Sequence, residues 1–358
     1  MSGSPYASAL GRLKARLPEF LGAEVYHRLA IAKDLAEIVK TLETTPYGPE
    51  LVRAAATHRG AALLQVGINR TFVARNRLAF ESASFAGRSV IGAYLQRWDI
   101  ENISIILSGR VLNRPVVEAE ERLVSWRELP AGIPAGSMTL DDLRALLAQP
   151  TFEAMVSFLV RFGYGPVLLP LSESFARTHD FFALLQALDR HYYARLLGDL
   201  RFFQGDEWVV RAFLEAEIDE RNLGVLLKGK DAGLPVDEVV GRWIDGGAFK
   251  SASVPEIYAV SGLAEMVPTL AARFPTLPEG LPAYRDSRRL SDFEAAVRRD
   301  RIVREVRRMR AYPLSLAILM TYLLRAEVER SDLVRIVYGK LHGVADEPTE
   351  SRLVSPRL

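Results

Sequence analysis

The sequence predicts an all-α protein built from three similar helical-bundle domains in a pseudo-threefold, funnel-like arrangement. Long windows rich in Ala, Leu, Arg and Glu place apolar residues at every third or fourth position, the spacing of an amphipathic helix. Alternating β-branched and aromatic segments between Asn-Gly or Asp-Gly turns, which indicate strands, are nearly absent. One short motif occurs three times, so about a third of the chain corresponds to one unit.

Five windows show the helical spacing most clearly. In chain order, we predict helices over residues 30–42, 50–64, 140–147, 181–197 and 293–309. Thr139 is the predicted N-cap of the third of these helices, because its hydroxyl can accept a backbone N–H and two aspartates follow in the first turn. These five windows are examples of a helical spacing that covers most of the sequence.

The repeated motif begins with an acidic residue, has Asn or Asp three positions later and ends in Gly followed by Arg or Lys. The Asn or Asp positions of successive copies lie 120 and 110 residues apart. The motif residues are Asp99, Asn102, Gly109 and Arg110 in the first copy, Asp219, Asn222, Gly229 and Lys230 in the second, and Glu329, Asp332, Gly339 and Lys340 in the third.

The spacing within each copy indicates a helix. Apolar residues one, four and five positions after the Asn or Asp form one helical face. The acidic residue and the Asn or Asp are expected to lie together on a helix surface or at a cap. The glycine and the cation are expected at the carboxyl end, where glycine ends a helix and a cation meets the negative pole of its dipole. The pattern fits one bent helix or two abutting helices equally well.

Proline- and glycine-rich segments at residues 129–136 and 245–255 separate the copies. A second mark, Tyr-Gly-Pro at 47–49 and 164–166, precedes the first two copies, and residues 274–276 are its degraded counterpart before the third. We therefore predict helical repeats over residues 1–128, 137–244 and 252–344, followed by a polar tail over residues 345–358.

Composition excludes several classes of protein. With 49% apolar and 25% charged residues the chain resembles an ordinary globular protein, and a net charge of +2 argues against a dedicated nucleic-acid binder. The absence of cysteine excludes disulfides and thiolate chemistry. The start of the chain lacks the apolar core of a signal peptide, and the apolar run 311–324 is shorter than the ~20 residues that span a bilayer. Any membrane contact is expected to be peripheral.

No pattern predicts catalysis. Residues 224–231 match the spacing of a phosphate-binding loop except at the last position, Asp231, but their interior is an apolar helical face and the other copies have Ser104 and Val334 in place of Gly224. The five histidines lack metal-ligand spacing, and no serine has the Gly-x-Ser-x-Gly context of a nucleophile. We expect no catalytic, cofactor-binding or metal-binding residues.

The basic run 297–310 carries seven arginines and an apolar face. It is interpreted either as a solvated helix face or as an electrostatic contact with an acidic partner protein or anionic lipid head groups. The candidate interface residues are Arg304 and Arg308 of this run and the motif cations Arg110, Lys230 and Lys340.

The chain resembles the C subunits of the V/A-type rotary ATPases, the counterparts of the d subunit of eukaryotic V-ATPases. At the amino end Tyr6 and the Arg-Leu-Lys-Ala string 12–15 resemble the family's opening element. At the carboxyl end residues 312–340 resemble its closing Pro-Leu…Tyr-Leu…Lys-Glu-x-Glu-x-x-Asn-Leu…Gly-Lys string, which is the most specific match. Departures are Arg325-Ala326 where a Lys-like residue is usual and Asp332 in place of asparagine.

The resemblance implies a funnel of three helical domains on the cytoplasmic face of the membrane, linking the proteolipid ring to the central shaft, which the D and F subunits form. It implies a non-catalytic rotor component that transmits torque for proton or sodium transport, without a cofactor and without nucleic acid. Two other hypotheses remain open at this point: an all-helical repeat adaptor of another assembly, and a phosphate enzyme using Lys230 or the arginines of residues 297–310.

Overall fold

The computed structural model describes residues 4–112, 114–126, 129–130, 138–178, 180–201, 207–344 and 352–358. The all-α prediction is confirmed. Outside helices and turns, the regular structure of the described residues is one antiparallel pair of two-residue strands, β1 (Ser125–Trp126) and β2 (Leu129–Pro130).

The helices make up most of the described chain. In order they are α1 (Ala7–Arg16), α2 (Ala23–Ile31), α3 (Leu35–Glu43), α4 (Gly48–Ala54), α5 (Gly60–Ser82), α6 (Phe85–Leu95), α7 (Arg97–Val111), α8 (Val116–Arg122), α9 (Leu140–Leu147), α10 (Phe152–Leu159), α11 (Gly165–Thr178), α12 (Phe181–Leu200), α13 (Trp208–Asp231), α14 (Val236–Gly241), α15 (Val254–Tyr258), α16 (Leu263–Leu270), α17 (Leu281–Ser287), α18 (Ser291–Arg310) and α19 (Ala317–Leu341). Single 3₁₀ turns occur at Leu17–Glu19, Val160–Phe162, Ser251–Ser253, Leu277–Gly280 and Ser355–Arg357.

The chain divides into two compact units, one formed by Met1–Leu188 with Met309–Leu358 and the other by Asp189–Arg308. In the first unit the long helices α5 and α19 pack against each other, and α1, α3 and α4 pack against α5. In the second unit α13 packs against α14, α15 and α16. The pseudo-threefold, funnel-like arrangement and the boundaries of the three repeats stay predictions.

The motif helices settle the choice between one helix and two. In the second and third copies the motif lies within single helices, α13 and α19, of 24 and 25 residues. In the first copy it lies within α7, and a single residue, Gln96, separates α6 from α7. Each motif is therefore contained in one helix, and in the first copy α6 directly precedes that helix.

Two of the five predicted helices are broken. Window 30–42 is interrupted between α2 and α3, where the side chain of Asp34 accepts the N–H of Glu37 at 2.9 Å and so starts a new helix. Window 50–64 is interrupted between α4 and α5, where Gly60 has φ +55°. The predicted N-cap Thr139 is confirmed, since its hydroxyl accepts the N–H of Asp142 in a capping box.

The predicted polar tail needs correction at its end. Leu353 and Val354 are 1% and 5% exposed, and Leu353 belongs to the apolar core that includes residues of α2, α3, α5 and α19. Residues 352–358 therefore belong to the packed first unit, because two apolar side chains offset the polar composition around them. Residues 345–351 lie outside the described part of the chain.

Candidate functional site: three closed helix ends

The amide side chains of the first two motifs close the chain on itself. Asn102 Nδ2 donates to the carbonyl of Val124 at 3.3 Å, and the Val124 N–H donates to Asn102 Oδ1 at 2.8 Å. Asn222 forms the same pair of bonds with Ile244, both at 2.8 Å. In each copy the partner lies 22 residues after the asparagine, and both asparagines are fully buried. Each asparagine thus satisfies one donor and one acceptor of a returning segment of backbone.

The third copy makes the equivalent closure with different chemistry. Asp332 Oδ2 accepts the N–H groups of Val354 at 2.9 Å and Ser355 at 2.7 Å, the first again at an offset of 22 residues. A carboxylate only accepts, so it binds two donors where the asparagines bind one donor and one acceptor. Burial raises the pKa of Asp332, although the N–H groups of Ser355 and Val354 and the charge of Arg335 act to lower it.

The motif glycines lie inside the last helical turn and not at the cap, so the predicted helix end is wrong by two residues. The helices end at Val111, Asp231 and Leu341. The cap conformation belongs to Gly233 and Gly343, each with φ +66°. In all three copies the carbonyl of the motif glycine accepts the N–H of the residue five positions later, at 2.8–2.9 Å. The donors are Arg114, Leu234 and Val344, and the acceptors are Gly109, Gly229 and Gly339.

The motif glycine is required by a close approach in the second copy. A Cβ atom on Gly229 would lie 2.5 Å from Val239 Cγ2, which is buried on α14. In the first copy a Cβ on Gly109 would lie 3.5 Å from the Cβ of Ala119 on α8, an ordinary contact. The glycine therefore lets the following short helix fold back against the motif helix, and the second copy leaves no room for a larger residue.

The acidic residues of the second and third motifs bind backbone N–H groups of other segments. Asp219 Oδ1 accepts the N–H of Phe249 at 2.8 Å. Burial raises the pKa of Asp219, against the lowering effects of that N–H and of Arg273, whose guanidinium lies 3.6 Å away. Asp99 is fully buried. In the second and third copies the acid and the Asn or Asp lie three residues apart on one helix, and Asp219 and Glu329 bind segments other than those bound by Asn222 and Asp332.

Glu329, the third acidic residue, is the centre of a buried polar cluster. Its carboxylate accepts the Tyr47 hydroxyl at 2.8 Å, the Arg75 guanidinium at 2.6 Å and the Leu21 N–H at 2.8 Å. Arg75 also donates to the carbonyl of Glu19 at 2.9 Å. The side chains of Arg75 and Glu329 are only 6% and 2% exposed, so this cluster joins α19, α5 and the amino-terminal segment away from solvent.

Burial and charge shift the titration of this cluster. Burial raises the pKa of Tyr47 well above its ordinary value. Burial acts to lower the pKa of Arg75, but its charge interactions with Tyr47 and Glu329 outweigh this effect and raise it. The Arg75 guanidinium therefore stays charged at every physiological pH, and it remains available to pair with Glu329.

Two further contacts fix the middle of α19. Glu327 accepts from Arg97 and from the Tyr94 hydroxyl, each at 3.1 Å. Arg330 donates to Asn69 Oδ1 at 2.8 Å. The partners Asn69, Arg75 and Arg97 were not predicted from the sequence; a signal for the first two was their position among the apolar residues of α5.

The predicted interface cations have partners within the chain. Arg110 donates to the carbonyl of Gln149, and Lys230 donates to the carbonyls of Tyr258 at 2.8 Å and Val260 at 2.5 Å. Lys340 is half-buried in the last turn of α19. On α18, Arg304 pairs with Asp300 at 2.6 Å, and Arg308 pairs with Glu305 at 3.1 Å. These contacts give the paired cations a structural role, and an interface role for all five stays a prediction.

Two of the five other arginines of α18 also form ion pairs. Arg301 pairs with Glu220, and Arg299 pairs with Glu279 at 3.2 Å. In the part of the chain that the structure describes, Arg307 is exposed and forms no ion pair. Most of the basic run therefore neutralises acids of its own unit, which is the behaviour of a structural helix.

The described residues contain no group of three His, Asp or Glu side chains placed to hold a metal ion. His179 lies outside those residues. Residues 224–231 belong to α13, so their N–H groups are engaged in the helix and do not form a phosphate cradle. None of the helices in the described ranges is long and apolar enough to cross a membrane.

Comparisons with known proteins point to one family. Residues 9–352 match the model of the ATP synthase (C/AC39) subunit family. A Thermoplasma acidophilum protein, named as the C subunit of an A-type ATP synthase, is 32% identical over 99% of both chains. The protein of the same name from Thermoplasma volcanium is 31% identical over 96% of both, and that from Methanococcoides burtonii is 25% identical over 99% of this chain and 95% of its own. The chain therefore belongs to the ATP synthase C/AC39 subunit family.

Proposed function

We propose that this chain is the central-stalk rotor subunit of a V/A-type rotary ATPase or ATP synthase. In this role it is a non-catalytic socket that links the central shaft, formed by the D and F subunits, to the membrane proteolipid ring. It lies peripherally on the cytoplasmic face of the membrane and transmits torque for proton or sodium transport. Ion movement and ATP chemistry belong to other components of the complex.

One observation carries this proposal: the similarity to the C subunit of the A-type ATP synthase extends over 99% of this chain and of the Thermoplasma acidophilum relative. Similarity over the whole of both chains favours the same kind of component and not a shared domain in a different context.

The internal contacts of the helices support a mechanical role. All three motif helices are tied to backbone 22 residues later by a buried side chain, in both compact units. The Glu329 cluster adds an ion pair whose side chains are 6% and 2% exposed. Because buried, satisfied hydrogen bonds open rarely, such ties make each unit stiff, and stiffness is what a torque-bearing connector requires.

The alternative is an all-helical repeat adaptor of a different multisubunit assembly. The side-chain to backbone bonds of the motif helices would suit a scaffold of any kind. The identity of the binding partners therefore decides between the rotor subunit and the adaptor. Stable attachment to a ring and a shaft requires interfaces above ~1,000 Å² with each of them.

Affinity purification of the tagged chain from its own cells tests the proposal. We expect proteolipid and shaft proteins to co-purify in constant ratio, and deletion of the chain to release the shaft from the ring. Recovery of an unrelated assembly in their place would support the adaptor. Stabilisation of the isolated chain by nucleotide would indicate a phosphate enzyme, and we expect no shift in its melting temperature.

A further inference from the structure

Three segments of the first unit meet at one corner: residues 4–7, residues 84–88 and residues 311–314. The Ser4 hydroxyl donates to the carbonyl of Leu314 at 2.8 Å. A Cβ atom on Gly87 would lie 3.4 Å from the Tyr6 ring, so the second segment contacts the first. We call these three segments the Phe85 corner.

Phe85 projects from this corner almost completely into solvent. It is 95% exposed, and the next most exposed large apolar residue in the described ranges, Val52, is 65% exposed. Leu314 in the same corner is 51% exposed, while Tyr6 is buried. The Ser84 side chain accepts the Gly87 N–H at 3.1 Å, which fixes the start of α6 and with it the position of Phe85.

The chain around the corner carries cations and no acids. Residues 4–18, 83–98 and 309–326 together contain seven Lys or Arg residues and no Asp or Glu, although the whole chain has 46 basic and 44 acidic residues. Arg12, Lys14 and Arg88 are exposed. The nearest acids along the sequence are Glu19, Glu81, Asp99 and Glu327. Glu19 and Glu327 pair with Arg16 and Arg97, two of the seven cations. Glu81 pairs with Arg77, and Asp99 is buried. The corner therefore combines protruding apolar side chains with the exposed Arg88, and α1, which begins in the corner, adds the exposed Arg12 and Lys14.

We propose that the Phe85 corner is a membrane-contact surface that binds anionic phospholipid head groups. Phe85 and Leu314 enter the head-group region, and Arg12, Lys14 and Arg88 bind the lipid phosphates. Apolar side chains beside cations bind the interface of anionic membranes in this way. An acidic protein partner is less favoured, because two protruding side chains offer little of the ~800 Å² that each side of a stable protein interface needs. The inference rests on the proposed function only for the nearness of a membrane.

Sedimentation of the full chain with phosphatidylcholine vesicles, with and without phosphatidylglycerol, tests this inference. We expect binding that requires phosphatidylglycerol and weakens as salt is raised. Phe85→Ser should weaken binding roughly tenfold, because it removes the largest inserted side chain. Arg88→Gln should weaken it about fivefold. The matched control is Val52→Ser, on α4 of the same unit, which should leave binding unchanged.

Equal sedimentation with both kinds of vesicle would overturn the inference, and so would equal effects of Phe85→Ser and Val52→Ser. Capture of an acidic protein without vesicle binding would also overturn it. Circular dichroism of each variant verifies that the helices are intact. If the chain still co-purifies with ring and shaft while vesicle binding fails, only this inference falls; loss of co-purification with vesicle binding kept would remove the proposed function instead.

Discussion

Removing the amide of Asn222 should open the second repeat. In the wild type the N–H and the carbonyl of Ile244 each bind the Asn222 side chain at 2.8 Å. In Asn222→Ala both groups lose this partner. Ile244 is 1% exposed, so water does not replace them. Each stranded buried group costs about 1–3 kcal/mol, and the higher helix propensity of alanine returns at most about 0.7 kcal/mol. We therefore expect a net loss of about 1–5 kcal/mol.

Such a loss is a large fraction of the ~5–15 kcal/mol that holds a typical protein folded. Urea unfolding followed by circular dichroism measures it, and hydrogen exchange of the peptide containing Ile244 locates it. The matched control on the same helix is Lys228→Ala, which breaks an exposed pair with Glu294 and should cost less than about 1 kcal/mol. If Asn222→Ala and Lys228→Ala were equally stable, the closure would not hold the repeat and the reasoning would be refuted.

Three further changes test the other features. The effect of Asp332→Asn should depend on pH. Burial raises the pKa of Asp332 in the folded state, so the stability of the wild type relative to the variant should rise as pH falls from neutral toward the pKa of the aspartate. A difference in urea midpoints that does not change with pH would contradict this. Glu329→Gln should cost about 3 kcal/mol in the same assay, because it leaves a buried guanidinium unpaired, and a cost below about 1 kcal/mol would be inconsistent with a desolvated pair. Gly229→Ala should destabilise the protein by about 1–2 kcal/mol, because the added Cβ clashes with Val239. Gly198→Ala, with open space around it, should stabilise α12 by up to about 1 kcal/mol. If both substitutions changed the stability in the same direction, the close approach at Gly229 would be contradicted.

The three motif helices were predictable, because the period of the motif and its apolar face are properties of the local sequence. The positions Asn102, Asn222 and Asp332 were identified as equivalent, and all three bind backbone at the same offset. Their partners were not predicted, since Val124 and Ile244 offer only main-chain groups and no side-chain pattern marks a backbone that returns to a helix. Only the path of the chain after each helix brings donor and acceptor together.

Helix ends were the least predictable feature. The window 30–42 keeps its apolar spacing across the break at Asp34, where a side-chain cap overrides the pattern. The motif glycines suggested caps, but the left-handed positions are Gly233 and Gly343, four residues later. The cations Arg110 and Lys230 bind carbonyls of the same chain, and their interface role stays a prediction. At each of these positions the same residue type has two uses, and only its contacts in the folded chain decide between them.

The ratio of ions transported to ATP hydrolysed tests the central claim most directly. This ratio is measured for the complex reconstituted in vesicles, once with this chain and once without it. If the chain is the mechanical link between shaft and ring, its absence should abolish ATP-driven ion transport while hydrolysis by the catalytic components continues. Ion transport at the wild-type ratio without the chain would contradict the account.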